Sequence, residues 1–218
     1  MPERLYKYMK RKYADSLLAV GNVRVGTLHG FRDVERFGPG IADMQEGKKS
    51  VVAHIDHHEY VGGTAEANAL KHLGIDIGPG AKIQINSSYF QTDVDHPDAY
   101  VWCCSSQKSA EAIAGIDGAD TCVEIVDVEG FYAALNVAMA KHGQFETIGP
   151  MPVIYHSLVE EWNGRNLGEH PIFLKGESFS AQYEVRIGWV PGGARKAPLE
   201  HIDIVESSVG RYCRIVDV

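Results

Sequence analysis

Three polar side chains spaced two residues apart, Gln182, Glu184 and Arg186, alternate with Tyr183, Val185 and Ile187. A period of two marks a strand, so the polar three share one face and the apolar three the other. A carboxylate on a covered face must find a donor or shift its pKa. Arg186 is in reach as that donor, with Cα atoms about 6.6 Å apart at strand rise. Two roles are open to such a face. One is a Glu–Arg pair that only ties a sheet edge together; the other is a catalytic carboxylate on a rigid strand. The run from Lys175 to Ser180 reads as a mobile loop leading into the strand.

A second group of reactive types lies far upstream. His54, Asp56, His57 and His58 fall within five residues. On a strand His54, Asp56 and His58 share one face while His57 turns away, and no distant ligand set completes them. A solvated histidine patch therefore fits better than a metal centre, and no metal is expected. A metal-dependent hydrolase built on His54, Asp56 and His58 stands as an alternative chemistry. The four cysteines (Cys103, Cys104, Cys122 and Cys213) form no Cys-x-x-Cys pair, which speaks against a zinc ribbon or a thioredoxin-like motif. Adjacent thiols inside an apolar run fit a reducing compartment, so a cytoplasmic location is expected.

Composition narrows the partners. A net charge of −8 argues against tight nonspecific binding to nucleic acid or to anionic membranes. No run approaches the roughly 18 apolar residues of a membrane helix, and the N-terminus has no apolar core of a secretory signal. With 218 residues and 44% hydrophobic content, one domain spanning 1–218 is expected.

The elements that must hold these residues follow from periodicity. Arg4 to Met9 reads as a first strand and Lys10 to Val20 as a helix with Tyr13, Ala14, Leu17 and Leu18 on its apolar stripe. Val23 to Leu28 is a second strand, with Val23, Val25 and Thr27 on one face. Phe31 to Gly47 is loop-like, rich in charge and glycine. Strands are expected from Ser50 to Val61, Lys82 to Phe90 and Thr121 to Val126, and turns from Asp93 to Asp98 and around Gly149-Pro-Met-Pro. Ala99 to Ser106 reads as a central strand buried on both faces. Val128 to His142 is the clearest helix, with Phe131, Leu135, Ala138 and Met139 on one face. Short strands near Val153, Glu200 to Glu206 and Tyr212 to Val216 complete a mixed α+β fold with mostly antiparallel sheets. Its strands are expected to dominate the C-terminal half and its helices the N-terminal half. No Gly-x-Gly-x-x-Gly, Walker loop or Gly-x-Ser-x-Gly occurs.

Three segments, in order, carry a resemblance. They are Leu5-Tyr-Lys-Tyr8 followed by a helix and Arg24-Val-Gly-Thr-Leu-His-Gly-Phe31-Arg32-Asp33; Val101-Trp-Cys-Cys-Ser105 with Cys122-Val-Glu124; and Gln182-Tyr-Glu-Val-Arg186. This order resembles a family of uncharacterised prokaryotic and phage proteins whose architecture looks like the ADP-ribosyltransferase fold. Arg32 stands where that family has Asn, and Gln182 where it has Glu. The first-strand Arg or His that grips NAD in classical members would fall at about Lys7, and this sequence has neither at that position. The resemblance implies NAD as a substrate, with no metal, and an acceptor that is a protein, nucleic acid or small molecule, in a setting such as phage–host conflict. It implies Glu184, Gln182 and Arg186 as catalytic residues, and Arg24, Ser105, Tyr6, Tyr8, Thr27 and Arg32 as the residues that hold NAD. Arg24 would clamp the pyrophosphate, Ser105 hold the ribose or orient Glu184, a tyrosine stack on the nicotinamide, and Gln182 meet the acceptor. A non-catalytic nucleotide- or protein-binding module of phage or defence origin is the remaining alternative.

Overall fold

The computed structural model describes residues 2–38, 40–193 and 198–218. The chain begins with β1 (Leu5–Met9), α1 (Arg11–Val20), β2 (Asn22–Thr27) and the short α2 (Val34–Phe37). A long hairpin follows, β3 (Lys48–Val61) and β4 (Lys82–Asp95), with α3 (Ala65–Ala69) between its arms. Then come β5 (Tyr100–Ser105), α4 (Ala110–Ala114), β6 (Thr121–Ile125), α5 (Val128–Ala140) and β7 (Phe145–Pro152). The remainder is β8 (Ile154–Tyr155), β9 (Val159–Glu161), β10 (Leu174–Lys175), β11 (Glu184–Pro191), β12 (Ile202–Val205), α6 (Ser207–Gly210) and β13 (Cys213–Val216). The fold is mixed α+β and mostly antiparallel; the pairs β3–β9 and β8–β10 are parallel.

The main sheet is organised on β5. One edge of β5 pairs along its whole length with β11, from Glu184 opposite Ser105 to Trp189 opposite Tyr100, and β7 lies beyond β11. The other edge is shared. Its start pairs with β2 through Gly26 and Thr27, and its end with β1 through Tyr6 opposite Ser105. From there the two partners diverge, β2 to β12 and β1 to β6 and β13. The result is a fork with β5 as its stem.

Packing explains why these segments hold. β5 is buried on both faces, as its unbroken apolar run requires. α5 lays Phe131, Leu135, Ala138 and Met139 against Trp102, Val123, Val185 and Ile187 in the largest core cluster. Phe131, Leu135 and Met139 each contribute roughly 1.5–3 kcal/mol when fully buried. Asp127 caps α5 by accepting from the Gly130 N–H at 2.9 Å. Gly21, at φ 69°, closes α1 and donates to the carbonyls of Leu17 and Ser16. On α1 only Ala14 and Leu17 are buried; Tyr13 and Leu18 face outward, so its stripe is narrower than the sequence suggests.

Several boundaries differ from expectation. Among the described residues eight of the thirteen strands lie in the C-terminal half, as anticipated, but the two longest, β3 and β4, lie in the N-terminal half and the longest helix, α5, in the C-terminal half. β4 runs on through Asp95, where a turn was expected. The Gly149-Pro-Met-Pro break is part of β7, whose prolines are tolerated because β7 pairs with β11 alone. Among the described residues no helix is long and apolar enough to cross a membrane.

Candidate functional site

The fork between β1 and β2 opens a cleft of about 840 Å³. That volume is within the range of small-ligand pockets. Glu184, Ser105, Tyr6, Lys7, Arg24 and Gln182 are among its lining residues, drawn from four strands and a turn. Lys7 sits at the fork, donating to the Cys103 carbonyl at 2.5 Å with its ammonium 5.2 Å from the Trp102 ring centroid. Gly26 lets Phe31 lie against β2; a Cβ there would meet the Phe31 ring at 2.7 Å.

Glu184 is the centre of a buried charge network. Its side chain is 13% exposed and its two oxygens are held separately. Oε1 accepts from Lys175 Nζ at 2.9 Å, and Oε2 from Arg186 Nε at 2.6 Å. Arg186, fully buried, turns its other nitrogens to Glu46, at 2.5 and 3.0 Å, and to the Ile172 carbonyl at 2.8 Å. Lys175 also donates to Gln182 Oε1 at 2.8 Å and lies over the Phe179 ring. Two acids and two bases thus balance inside the protein. Burial alone would push the Glu184 pKa up; the charges of Arg186 and Lys175 outweigh it and bring the carboxyl down to about 2. Burial would likewise lower the Arg186 pKa, yet Glu184 and Glu46 hold it well above the usual value. A carboxylate has about four lone-pair sites, so Glu184 retains capacity to accept from a ligand hydroxyl.

The local backbone differs from the alternating strand read from the sequence. β11 starts at Glu184, and Gln182 ends a 3-10 turn spanning Glu177–Gln182. Between them Tyr183 adopts a left-handed conformation, φ 47° and ψ 44°. A non-glycine residue there costs on the order of 1–3 kcal/mol. It is held because the Tyr183 carbonyl accepts from both the N–H and the hydroxyl of Ser106. The kink still delivers Gln182 to Lys175, and its Nε2 donates to the Gly40 carbonyl at 2.7 Å. Lys175, read as part of a mobile loop, instead ends β10 with its side chain 2% exposed.

Of the other sequence candidates, Ser105, Arg24, Thr27, Tyr6 and Tyr8 line the cleft and Arg32 does not. Ser105 lies opposite Glu184 in register, with its hydroxyl turned to the Gln107 carbonyl at 3.0 Å. Arg24 lines the cleft but is clasped by Asp203 through two bonds of 2.7 and 2.9 Å. That bond is also the first cause lowering the Asp203 pKa and raising that of Arg24. Thr27 is buried and caps the following turn by accepting from the Gly30 N–H. Tyr6 and Tyr8 both line the cleft; the Tyr8 ring also packs on Ala112 and Cys122, and its hydroxyl bridges Gln107 and Ser109. Arg32 stands outside the cleft lining and binds the Glu46 carbonyl and Asp95. Its part is to fix the turn that carries Glu46 rather than to meet a ligand directly.

Two contributors escaped the sequence reading. Glu46, 140 residues from Arg186, had no signal beyond its charge in an irregular segment. Tyr155 places its hydroxyl to accept from the Glu184 N–H at 2.7 Å, and burial raises its phenol pKa. The histidines of β3 go to unrelated partners. His54 meets the Tyr89 ring, His57 bonds Asn86, and His58 faces Tyr60 and Glu66. Among the described residues no three His, Cys, Asp or Glu side chains are placed to hold a metal ion.

No protein-family model matches the sequence, no curated protein matches it, and no solved structure matches the fold.

Proposed function

We propose that the protein is an ADP-ribosyltransferase-like enzyme that cleaves the nicotinamide–ribose bond of NAD and passes the ADP-ribose to an acceptor. The observation that carries this reading is Glu184, a carboxylate kept ionised at the wall of a dinucleotide-sized cleft. Cleavage of that bond develops positive charge on the ribose, as in glycoside chemistry. An ionised carboxylate facing the sugar stabilises the charged transition state more than the ground state. Glu184 would accept a ribose hydroxyl, while Lys175 and Arg186 keep it charged and aimed. Lys7, Lys10, Arg24 and Arg36 are the cationic lining residues suited to a pyrophosphate, and Tyr6 to an aromatic base. Arg24 must release Asp203 to take that role. Gln182, already bonded to Lys175 and Gly40, would meet the acceptor only after a rearrangement of the turn. The compartment is taken as the cytoplasm, consistent with four free cysteines.

The test is incubation of the purified protein with NAD, with nicotinamide and ADP-ribose products followed by mass spectrometry. Glu184→Gln should cut product formation by about 100-fold or more while circular dichroism stays native. A folded wild type that neither binds nor consumes NAD overturns the proposal. One feature favours a second reading, a non-catalytic nucleotide-binding module. Every charge around Glu184 already has a partner, as a purely structural network would require. NAD binding without turnover, unchanged by Glu184→Gln, would select it.

A further inference from the structure

Away from the cleft a second cavity, about 220 Å³, is lined by His58, Tyr60, Glu66, Trp162 and Gly164. β3 supplies the first two residues, α3 the third, and the segment after β9 the last two. Three of the five are aromatic. The His58 and Tyr60 ring centroids are 4.4 Å apart at an interplanar angle of 52°, which makes an angled wall rather than a flat stack. Tyr60 is 8% exposed and belongs to the small core of Ile55, Leu70 and Ile85, on which Trp162 also packs. The Trp162 backbone N–H donates to the Val52 carbonyl at 2.7 Å, so the indole is anchored to the same strand as the other two rings. Its Nε1 is buried without a hydrogen-bond partner, the one such side-chain atom among the described residues. The Glu66 carboxylate stands 3.4 Å from His58 Nε2 and is largely exposed, supplying a negative charge at the rim.

We propose that this cavity binds a methylated ammonium group, such as that of choline. Aromatic rings present a negative face, and a cation over such faces is attracted to it, the more strongly as it is desolvated. A methylated ammonium is weakly hydrated and gives up little water on entering. A carboxylate at the rim adds a long-range attraction. The cavity is too small for a dinucleotide and falls below the usual range for drug-sized ligands, which fits a compact cationic group. It offers only His58 and Glu66 as metal donors, two where a closed site needs about four.

The test is a titration of the intact protein with choline and with its neutral isostere 3,3-dimethylbutanol, by calorimetry and by tryptophan fluorescence. Trp102 and Trp189 are buried in the main core, so the responsive indole is Trp162. Choline should bind about tenfold tighter than the isostere or better, since the two share shape and differ in charge. Glu66→Gln, a change at an exposed side chain, should weaken choline binding several-fold with the melting temperature unchanged. Trp162→Ala should abolish it, and turnover of NAD should be indifferent to both. Phosphatidylcholine vesicles carry the same group; flotation of the protein with them would make a lipid headgroup the source, and its absence a free metabolite. Equal binding of choline and the isostere, or choline binding unaltered in both variants, overturns the proposal.

Discussion

Two regions of this molecule are built from similar residue types and reach opposite states. Around Glu184, two acids and two bases come from three separate segments and meet in the interior, linked in a chain from Lys175 through Glu184 and Arg186 to Glu46. Along β3, His54, Asp56, His57 and His58 are neighbours in sequence, yet their side chains are exposed and turn to different partners. Closeness in sequence therefore says little about whether titratable groups cooperate. What matters is whether strand pairing brings them to one buried point, because only there does the low dielectric make their interactions strong.

The sharpest way to break this contrast is to remove one member of the buried network. Arg186→Leu leaves Glu46 and Glu184 without their shared partner, and should destabilise the protein by about 3–5 kcal/mol. Chemical denaturation followed by circular dichroism measures it. A loss under 1 kcal/mol would mean that the network is no tighter than a surface pair.

Acid gives the next effect. Glu184 is held at about 2 against an ordinary value of 4.5. A group with a depressed folded-state pKa binds fewer protons in the native state, so its stabilisation is complete above about 4.5 and fades as pH falls towards about 2. The full amount corresponds to about 3 kcal/mol. Stability measured between pH 5 and pH 2 should drop more steeply in the wild type than in Glu184→Gln.

The smallest effect belongs to the hairpin. His57→Ala removes a bond to Asn86 on an exposed face and should change stability by no more than about 0.5 kcal/mol. A loss matching that of Arg186→Leu would erase the distinction between the two regions.

Much of the framework was legible in the sequence because it depends on local period. β5 announced itself as an unbroken apolar run, and α5 as a helical stripe from Phe131 to Met139. The convergence of Glu184, Ser105 and Arg24 on one cleft followed the order of three separated motifs. Other features were hidden for physical reasons. The alternation through Gln182 and Glu184 is interrupted by the left-handed Tyr183, a conformation that a tyrosine side chain gives no hint of. β7 was masked by two prolines that only an edge position accommodates. Glu46 and Lys175 lie in segments without period, and their burial is a product of tertiary pairing alone.

The fork on β5 has one more consequence. Its opening exists because two strands compete for one row of backbone groups and neither covers all of it. The hollow is thus written into the hydrogen-bond register, and no exchange of side chains along its walls would zip it shut. Substitutions at wall positions outside the buried charge network, such as Tyr6 or Arg24, would thus change the molecule admitted while leaving the vacancy itself in place.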